Sequence, residues 1–431
     1  MSQGVSVAFC RLLAACVWLV GCNWSVHAQA LPNPDDASRT PEAAAVAAAA
    51  AAASIDPDSG EALRIGLMTV SPGSVYWQSF GHNAILVENT VRQEAQLYNF
   101  GTFDFDQPNF LLNFLRGKML YRLAAGAPAR DLNMYAEEGR GVQLDWLNLT
   151  PDQRYAVAEM LAQNALPEHA EYRYDYFVDN CSTRVRNVID AVLNGAARDQ
   201  LQVRSEGATY RRLALQYGAT VPWMAVGMDL GLGRHADRPI SFFEQAFVPE
   251  QFRRFALEVQ NPELGDSEPL ITDSLQLVEP QVELRAASMP GVWIFAALCA
   301  AMSALWWWMA GAAPGLRRSV AAWVGILVSL VSTVIGAGLI ALMTATDHSM
   351  AAANENVLLF LPTSLLLVRA FWQLRRGDNR AGQIWAWVGV LAGAAALLLK
   401  LDGDAQANGY WLALMLPWHT AVWFRIARPM A

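Results

Sequence analysis

The stretch YDYFVDNCSTRVRNVID, Tyr174 to Asp190, carries a short aromatic run straight into a helix whose first turn holds Cys181. Cys181, Val185, Val188, Ile189 and Val192 fall at i, i+4, i+7, i+8 and i+11. That spacing is one face of a helix, so the thiol points inward, onto whatever the helix packs against. Asp179 or Asn180 is a suitable N-cap. A thiol in a first helical turn sits among unpaired backbone N–H groups at the positive end of the helix dipole, and both favour thiolate. Taken alone, the stretch supports two readings: a nucleophile at a helix start, or a buried, inert cysteine.

The chain around it has 431 residues, 54% of them hydrophobic and 16% charged, which is too apolar for an ordinary soluble protein and long enough for two or three domains. A net charge of −8, with no basic stripe interleaved with aromatics, argues against a nucleic-acid partner. Cys10, Cys16 and Cys22 lie near the N-terminus and Cys299 in an apolar helix, which leaves Cys181 alone in the polar half. The pattern contains no disulfide framework and no paired-cysteine zinc spacing, and no cofactor or metal is expected.

Residues 1–28 read as an export signal: Arg11, the apolar run Leu12 to Val20, then small residues. Val26-His27-Ala28 suits cleavage after Ala28, whereas Leu19-Val20-Gly21-Cys22 resembles a lipobox that would lipidate Cys22. Residues 29–60 form an Ala/Pro-rich spacer without an apolar face. Residues 61–204 read as an α+β domain with a mostly antiparallel sheet. LRIGLMTV, HNAILVEN, AQLYNFG, LYRLAAG, GVQLDWLNL and YRYDYF are its strands. PNFLLNFLRG, a piece near Met134, and a helix opened by the capping box Thr150-Pro151-Asp152-Gln153 lie between them. Residues 205–289 read as a helical extension, with GMDLGLGRHADRP a loop and an acidic linker at the end.

From residue 290 to 431 the composition predicts five membrane helices, at about 291–311, 320–345, 357–372, 382–400 and 409–424, the third broken by Pro362. Arg317 and Arg318 lie in the first connection, Arg375, Arg376 and Arg380 in the third, and Arg425 and Arg428 at the end. The second and fourth hold Asp347, Glu355, Asp402 and Asp404. The positive-inside rule therefore puts the C-terminus in the cytoplasm and the N-terminal domain outside.

A thiol nucleophile needs a base. Between the signal and Cys181 the candidates are His82, after Phe80-Gly81 at the mouth of a strand, and His169, in a polar connection. His82 is the better placed; its alternative reading is a satisfied core histidine.

The succession FGHNAILVEN, LYNFGTFDF and YFVDNCSTRVRNVID resembles the exported domain of Lnb-type lipoprotein N-acyltransferases. More distantly it looks like the permuted papain-like group that includes the NlpC-type enzymes and lecithin:retinol acyltransferase, in which the histidine strand precedes the cysteine helix. The resemblance extends through LGLGRHAD and EQAFVPEQF to the membrane-region loop TDHSMAAANENVLLFLP. It implies a permuted papain-like domain followed by an all-α five-helix membrane domain in the inner membrane. It also implies acyl transfer through a thioester, with Cys181 as nucleophile, His82 as base and Asn99 as the polar residue that orients His82. Asn99 otherwise caps backbone at a strand end. Asp104 and Asp179 could close loops or cap the helix, and Asn180 beside the thiol is a candidate substrate contact. His348, Asn354 and Asn356, at the outer end of spans two and three, could contact a lipid headgroup or the exported domain.

The expected function is thus a membrane-bound cysteine acyltransferase of the envelope, moving an acyl chain from a phospholipid or lipoprotein ester to an amine. The alternatives are a cysteine hydrolase of the envelope (an amidase or peptidase) and a non-catalytic envelope assembly protein. The oligomeric state is not legible.

Overall fold

The computed structural model describes residues 57–103, 108–281, 291–376 and 381–427, all within one compact unit, Ala48–Ala431. The export signal with both processing options, the spacer up to residue 56, Asp104, Arg380 and Arg428 lie outside the described residues.

The strands are Leu63–Val70 (β1), His82–Asn89 (β2), Glu94–Thr102 (β3), Leu120–Gly126 (β4), Val142–Leu147 (β5), Glu171–Arg173 (β6) and Ile271–Val278 (β7). Among the described residues these seven make one antiparallel sheet in the order β6-β4-β3-β2-β1-β5-β7. Period-two alternation sends Leu63, Ile65, Leu67, Ile85 and Val87 to one face, and Met68, Val70, Ala84 and Leu97 to the other. β1 and β2 are therefore buried on both sides and form the rigid centre.

The helices of more than one turn in this domain are Phe110–Leu115 (α1), Pro128–Glu137 (α2), Pro151–Asn164 (α3), Cys181–Val192 (α4), Ala196–Gln202 (α5), Tyr210–Gly218 (α6), Pro222–Gly231 (α7) and Pro249–Ala256 (α8). The capping box at Thr150 and Gln153 opens α3 with both reciprocal bonds made. Helices α3, α4 and α8 cover the first face and α2 the second.

Three local expectations change. The strand YRYDYF stops at Arg173, because Asp175 Oδ1 accepts the N–H groups of Phe177 and Val178 at 2.8 and 3.1 Å and turns the chain into an Asp175–Asp179 bridge. The loop reading of GMDLGLGRHADRP gives way to helix α7 as far as Gly231. The acidic linker contains β7, an edge strand on β5 whose side chains are mostly exposed and so carry little burial pattern. These late segments are integral to the domain: Arg253 of α8 donates to both oxygens of Asp145 at 2.7 and 2.9 Å, and Asp145 is fully buried on β5 beside Ser274 of β7.

The C-terminal region comprises Val292–Ala310 (α9), Leu316–Ala345 (α10), Leu367–Leu374 (α11), Gln383–Leu398 (α12) and Gly409–Ile426 (α13). Among the described residues four segments are long and apolar enough to cross a membrane: Val292–Ala310, Leu316–Ala345, Glu355–Leu374 and Gln383–Leu401. The third is composite, since two 3-10 turns, Glu355–Leu358 and Pro362–Leu366, lead into α11. Helix α13, the expected fifth span, is less apolar because it carries Pro417, Trp418, His419 and Arg425. It runs beside α9 in the same direction: Gly409 lies against Val292, and Arg425 Nη2 donates to Trp307 O at 3.1 Å. At Gly336 of α10 any Cβ would fall 1.9 Å from Phe360 O, so a side chain there would separate the two backbones.

Two connections of this region rest on the sheet domain. After α10, Asp347 N donates to Arg116 O at 2.9 Å and Ser349 Oγ to Asp175 Oδ2 at 3.2 Å. After α12, Gln406 Nε2 donates to Leu232 O at 3.0 Å, and Arg234 pairs with Asp402 at 2.6 Å.

Candidate active site

Helix α4 starts where it does because Asn180 caps it reciprocally. Asn180 Oδ1 accepts Thr183 N at 2.9 Å, and Thr183 Oγ1 accepts Asn180 N at 2.7 Å. The Asn180 amide donates onward to Tyr176 O and Phe247 O at 2.9 and 2.8 Å. One residue later, Ser182 Oγ lies 2.7 Å from Asn83 Oδ1 and 2.6 Å from Ala246 O, while Asn83 Nδ2 donates to Thr69 Oγ1 at 2.9 Å. Ser182 and Asn83 are fully buried. This clamp fixes the first turn of α4 on the start of β2, where Asn83 follows His82.

The Cys181 thiol is buried there, faced by the backbone N–H groups of Asn83, Ser182 and Cys181 itself. Burial pushes its pKa up; the three N–H groups and the Arg140 guanidinium oppose that shift. Gly101 of β3 sits opposite, with φ +92° and its missing Cβ only 3.4 Å from Cys181 Cβ. A side chain there would be both strained and pressed on the cysteine.

His82 Nε2 lies 3.1 Å from Asn99 Oδ1, and Asn99 Nδ2 donates to Asp131 Oδ2 on α2 at 2.8 Å. The carboxylate accepts the amide nitrogen, so the asparagine presents its oxygen to the imidazole and selects the tautomer protonated at Nε2. Nδ1 is then the basic nitrogen. Burial lowers the His82 pKa to about 4; the Asn99 hydrogen bond opposes the fall and Arg140 adds to it. Burial also raises the Asp131 pKa, against the Asn99 hydrogen bond. At neutral pH the thiol and the imidazole are thus both uncharged. Arg140 is itself buried and held by Ser71 O at 2.9 Å.

The thiol lies among tyrosines. Tyr121 and Tyr174 stack at 4.0 Å, Tyr174 meets Tyr176 at 5.4 Å, and Tyr172 Oη lies 3.9 Å from the Cβ position of Gly101. Burial raises the pKa of Tyr172 and of Tyr174, and ionisation of Cys181 would raise both further, which keeps these hydroxyls protonated. The buried Tyr172 Oη has no hydrogen-bond partner among the described residues.

The structure therefore gathers Cys181, His82 and Asn99 around the β2–α4 junction. His169 is elsewhere, its Nδ1 3.2 Å from Gln163 O. Asp179 pairs with Arg184 beside the cap. Asn354 and Asn356 are buried in a separate cluster: Asn354 Nδ2 reaches the carbonyls of Leu230, Gly231 and Leu232 at 2.9, 3.0 and 3.3 Å, and Asn356 accepts Asn408 Nδ2 at 2.8 Å. Asn354 and Asn356 both donate to Leu230 O, which ties the loop to the sheet domain. His348 borders Gly117, just after α1. Asn180, expected as a substrate contact, spends its side chain on the cap and on two backbone carbonyls. Sequence reasoning missed Asn83, Ser182, Asp131, Arg140 and the tyrosine walls. Among the described residues no cluster of His, Cys, Asp and Glu is arranged to hold a metal ion.

Residues 49–216 match the model of a family described as the Lnb N-terminal periplasmic domain, a span that includes His82, Asn99, Asp131 and Cys181. The chain thus resembles the Lnb-type lipoprotein N-acyltransferase family, and its apolar helices make it a multi-pass membrane protein. No curated protein and no solved structure gives a match.

Proposed function

We propose that this chain is a membrane-bound cysteine acyltransferase of the cell envelope, moving an acyl chain from a lipid or lipoprotein ester to an amine through a Cys181 thioester. The observation that carries the reading is the buried thiol against the N–H of Asn83, one residue from a histidine oriented by Asn99. Cys181 Sγ attacks the ester carbonyl while His82 Nδ1 takes the thiol proton. Because both groups start uncharged, the proton moves with the attack rather than before it. The N–H groups facing the sulfur hold the oxyanion. The C–O bond then breaks, and His82 returns the proton to the leaving alcohol. An amine attacks the thioester, its nitrogen loses a proton to His82, and as the C–S bond breaks His82 passes that proton to the leaving sulfur, restoring the thiol and the neutral imidazole.

Residues 1–28 act as a signal peptide and 29–60 as a spacer in this reading. The catalytic domain spans 61–204 in a permuted papain-like arrangement, completed by the 205–289 extension, and residues 290–431 form the membrane domain. Location in the inner membrane, with the N-terminal domain in the periplasm and the C-terminus in the cytoplasm, is supported by the arginines. Arg425 lies at the α9 end marked by Trp307, whereas the connections after α10 and α12 touch the sheet domain. The parallel course of α9 and α13 supports α13 as a fifth span.

The decisive experiment is mass spectrometry of lipoprotein N-termini from cells with the protein, without it, and with Cys181→Ser. Acylation that depends on the protein and disappears in the variant is the expected result. An identical pattern in all three, with expression verified, would sink acyl transfer; release of free fatty acid without an acylated amine would point to the hydrolase.

A further inference from the structure

Helix α7, PWMAVGMDLG, is almost wholly apolar yet has no buried residue. Trp223, Val226 and Gly227 follow one another at i, i+3 and i+4 and share a face, with Trp223 65% and Val226 43% exposed, while Leu230 at i+7 packs against the membrane-region cluster of Leu359, Phe360 and Met415. A helix on a soluble domain turns such a face inward; this one turns it out, while Met228 packs over Gly218 of α6 on the other side.

What lies at its two ends decides what covers that face. The C-terminal end is tied to the membrane region, where the Leu230, Gly231 and Leu232 carbonyls accept Asn354 Nδ2, and Gly231 borders Leu342 in the last turns of α10. At 30 residues, α10 is about 45 Å long, more than the roughly 30 Å of a hydrocarbon core, so its last turns reach the polar boundary of the bilayer. At the N-terminal end Trp223 contacts Tyr76 at 5.5 Å, Tyr76 contacts Trp77 at 4.7 Å, and Tyr76 is near enough to Tyr176, one of the tyrosines beside the thiol, to raise its pKa. On the opposite side α1 exposes Leu112 and Leu115, with Phe114 6.4 Å from Tyr176, and the carbonyl of Arg116 just after it accepts Asp347 N of the loop that follows α10.

We propose that α7, with the Tyr76–Trp77 turn and α1, is an interfacial collar that sits in the outer leaflet, its apolar face covered by the hydrocarbon of leaflet phospholipids. Both prongs are anchored to the same end of the membrane region, so the apolar surface continues from the spans to Tyr176, beside Tyr174. Tryptophan and tyrosine are the side chains that settle at that depth. The inference assigns the bilayer as a partner of the sheet domain itself, and it does not require Cys181 to be a nucleophile.

The test uses the full chain, otherwise free of reactive cysteines, in nanodiscs of phosphatidylethanolamine and phosphatidylglycerol, with a polarity-sensitive fluorophore on Trp223→Cys. Val226→Cys serves as a second site should the first variant fold poorly. Val91→Cys, which is 78% exposed in the turn at the far end of β2, is the control. Doxyl-labelled phospholipids should shift the collar probes to the blue and strip most of their emission, and leave position 91 unchanged. Equal responses at all positions overturn the proposal. So does collar emission quenched by a second labelled copy rather than by lipid. Acyl transfer is not read in this experiment, so its failure would leave the Cys181 reading standing.

Discussion

Asn99 stands between His82 and Asp131, with its oxygen 3.1 Å from the imidazole and its nitrogen 2.8 Å from the carboxylate, so the carboxylate dictates which ring nitrogen of His82 is basic. A flipped amide would face a carboxylate with its oxygen, and the half-buried acceptor pair would repel.

The acid limb of kcat/KM for acyl transfer is expected near pH 4 rather than near the ordinary 6.5, because burial lowers the His82 pKa to about 4 and the neutral ring is the active form. His82→Ala should lower the rate by about 10²-fold or more. The Asn99 hydrogen bond raises the His82 pKa, so Asn99→Ala should slow the reaction and move the limb to still lower pH. A limb near 6.5 in the unmodified protein would contradict the buried base.

The same shift makes the fold acid-sensitive. An unfolded chain binds a proton at His82 below about pH 6.5, whereas the folded chain does so only below about 4. Stability contributed by the neutral ring is therefore intact above pH 6.5 and lost as pH falls from there to 4, by an amount on the order of 3 kcal/mol. Apparent Tm measured across that window should fall less in His82→Gln than in the parent.

Asp131 positions Asn99 and does not touch the reacting atoms. Asp131→Ala should lower kcat by up to about 10²-fold with little change in KM, since misorientation of the base costs the chemical step and not binding. Asp131→Asn, which can still accept from the Asn99 nitrogen, should recover part of the loss. Equal damage to KM in both variants would indicate a folding defect instead.

Ser182→Ala removes a hydroxyl from between Asn83 Oδ1 and Ala246 O, both in the buried seam under α4. Leaving those acceptors unpaired should cost about 1–3 kcal/mol, read as a lower midpoint of thermal unfolding, and should raise Cys181 alkylation as the helix start loosens.

Tyr172→Phe deletes a buried hydroxyl that has no partner among the described residues, so Tm should hold or rise slightly. If the hydroxyl awaits substrate, acyl transfer should nonetheless fall. Unchanged transfer would assign it no part in the reaction.

The helix start at Cys181 and the strand start at His82 are legible in the sequence because each is marked locally, one by helical periodicity and the other by a glycine at a strand mouth. Four of the five expected apolar spans are legible for the same reason, hydropathy being a property of contiguous residues. Asp131 is not legible: a lone aspartate in a first helical turn after proline looks like an ordinary companion of the helix dipole, and only the crossing of α2 over β3 brings it to Asn99. Arg140 and Tyr172 reach the site through tertiary structure in the same way. Strand β7 escapes notice because an exposed edge needs no buried alternation, and α7 because its apolar face looks outward, where the solvent rule for helices does not apply.

The pairing of Asp145 with residues far downstream governs how the protein can be made. Arg253 arrives 108 residues after Asp145, and Ser274 129 residues after it, shortly before the first membrane helix begins at Val292. Until then a carboxylate destined for complete burial has no counter-charge and the β5 edge is open. The domain therefore finishes folding only as its own membrane anchor is being synthesised. A chain cut at residue 216, where the family match ends, is expected to misfold, and one ending near 281 to complete the sheet.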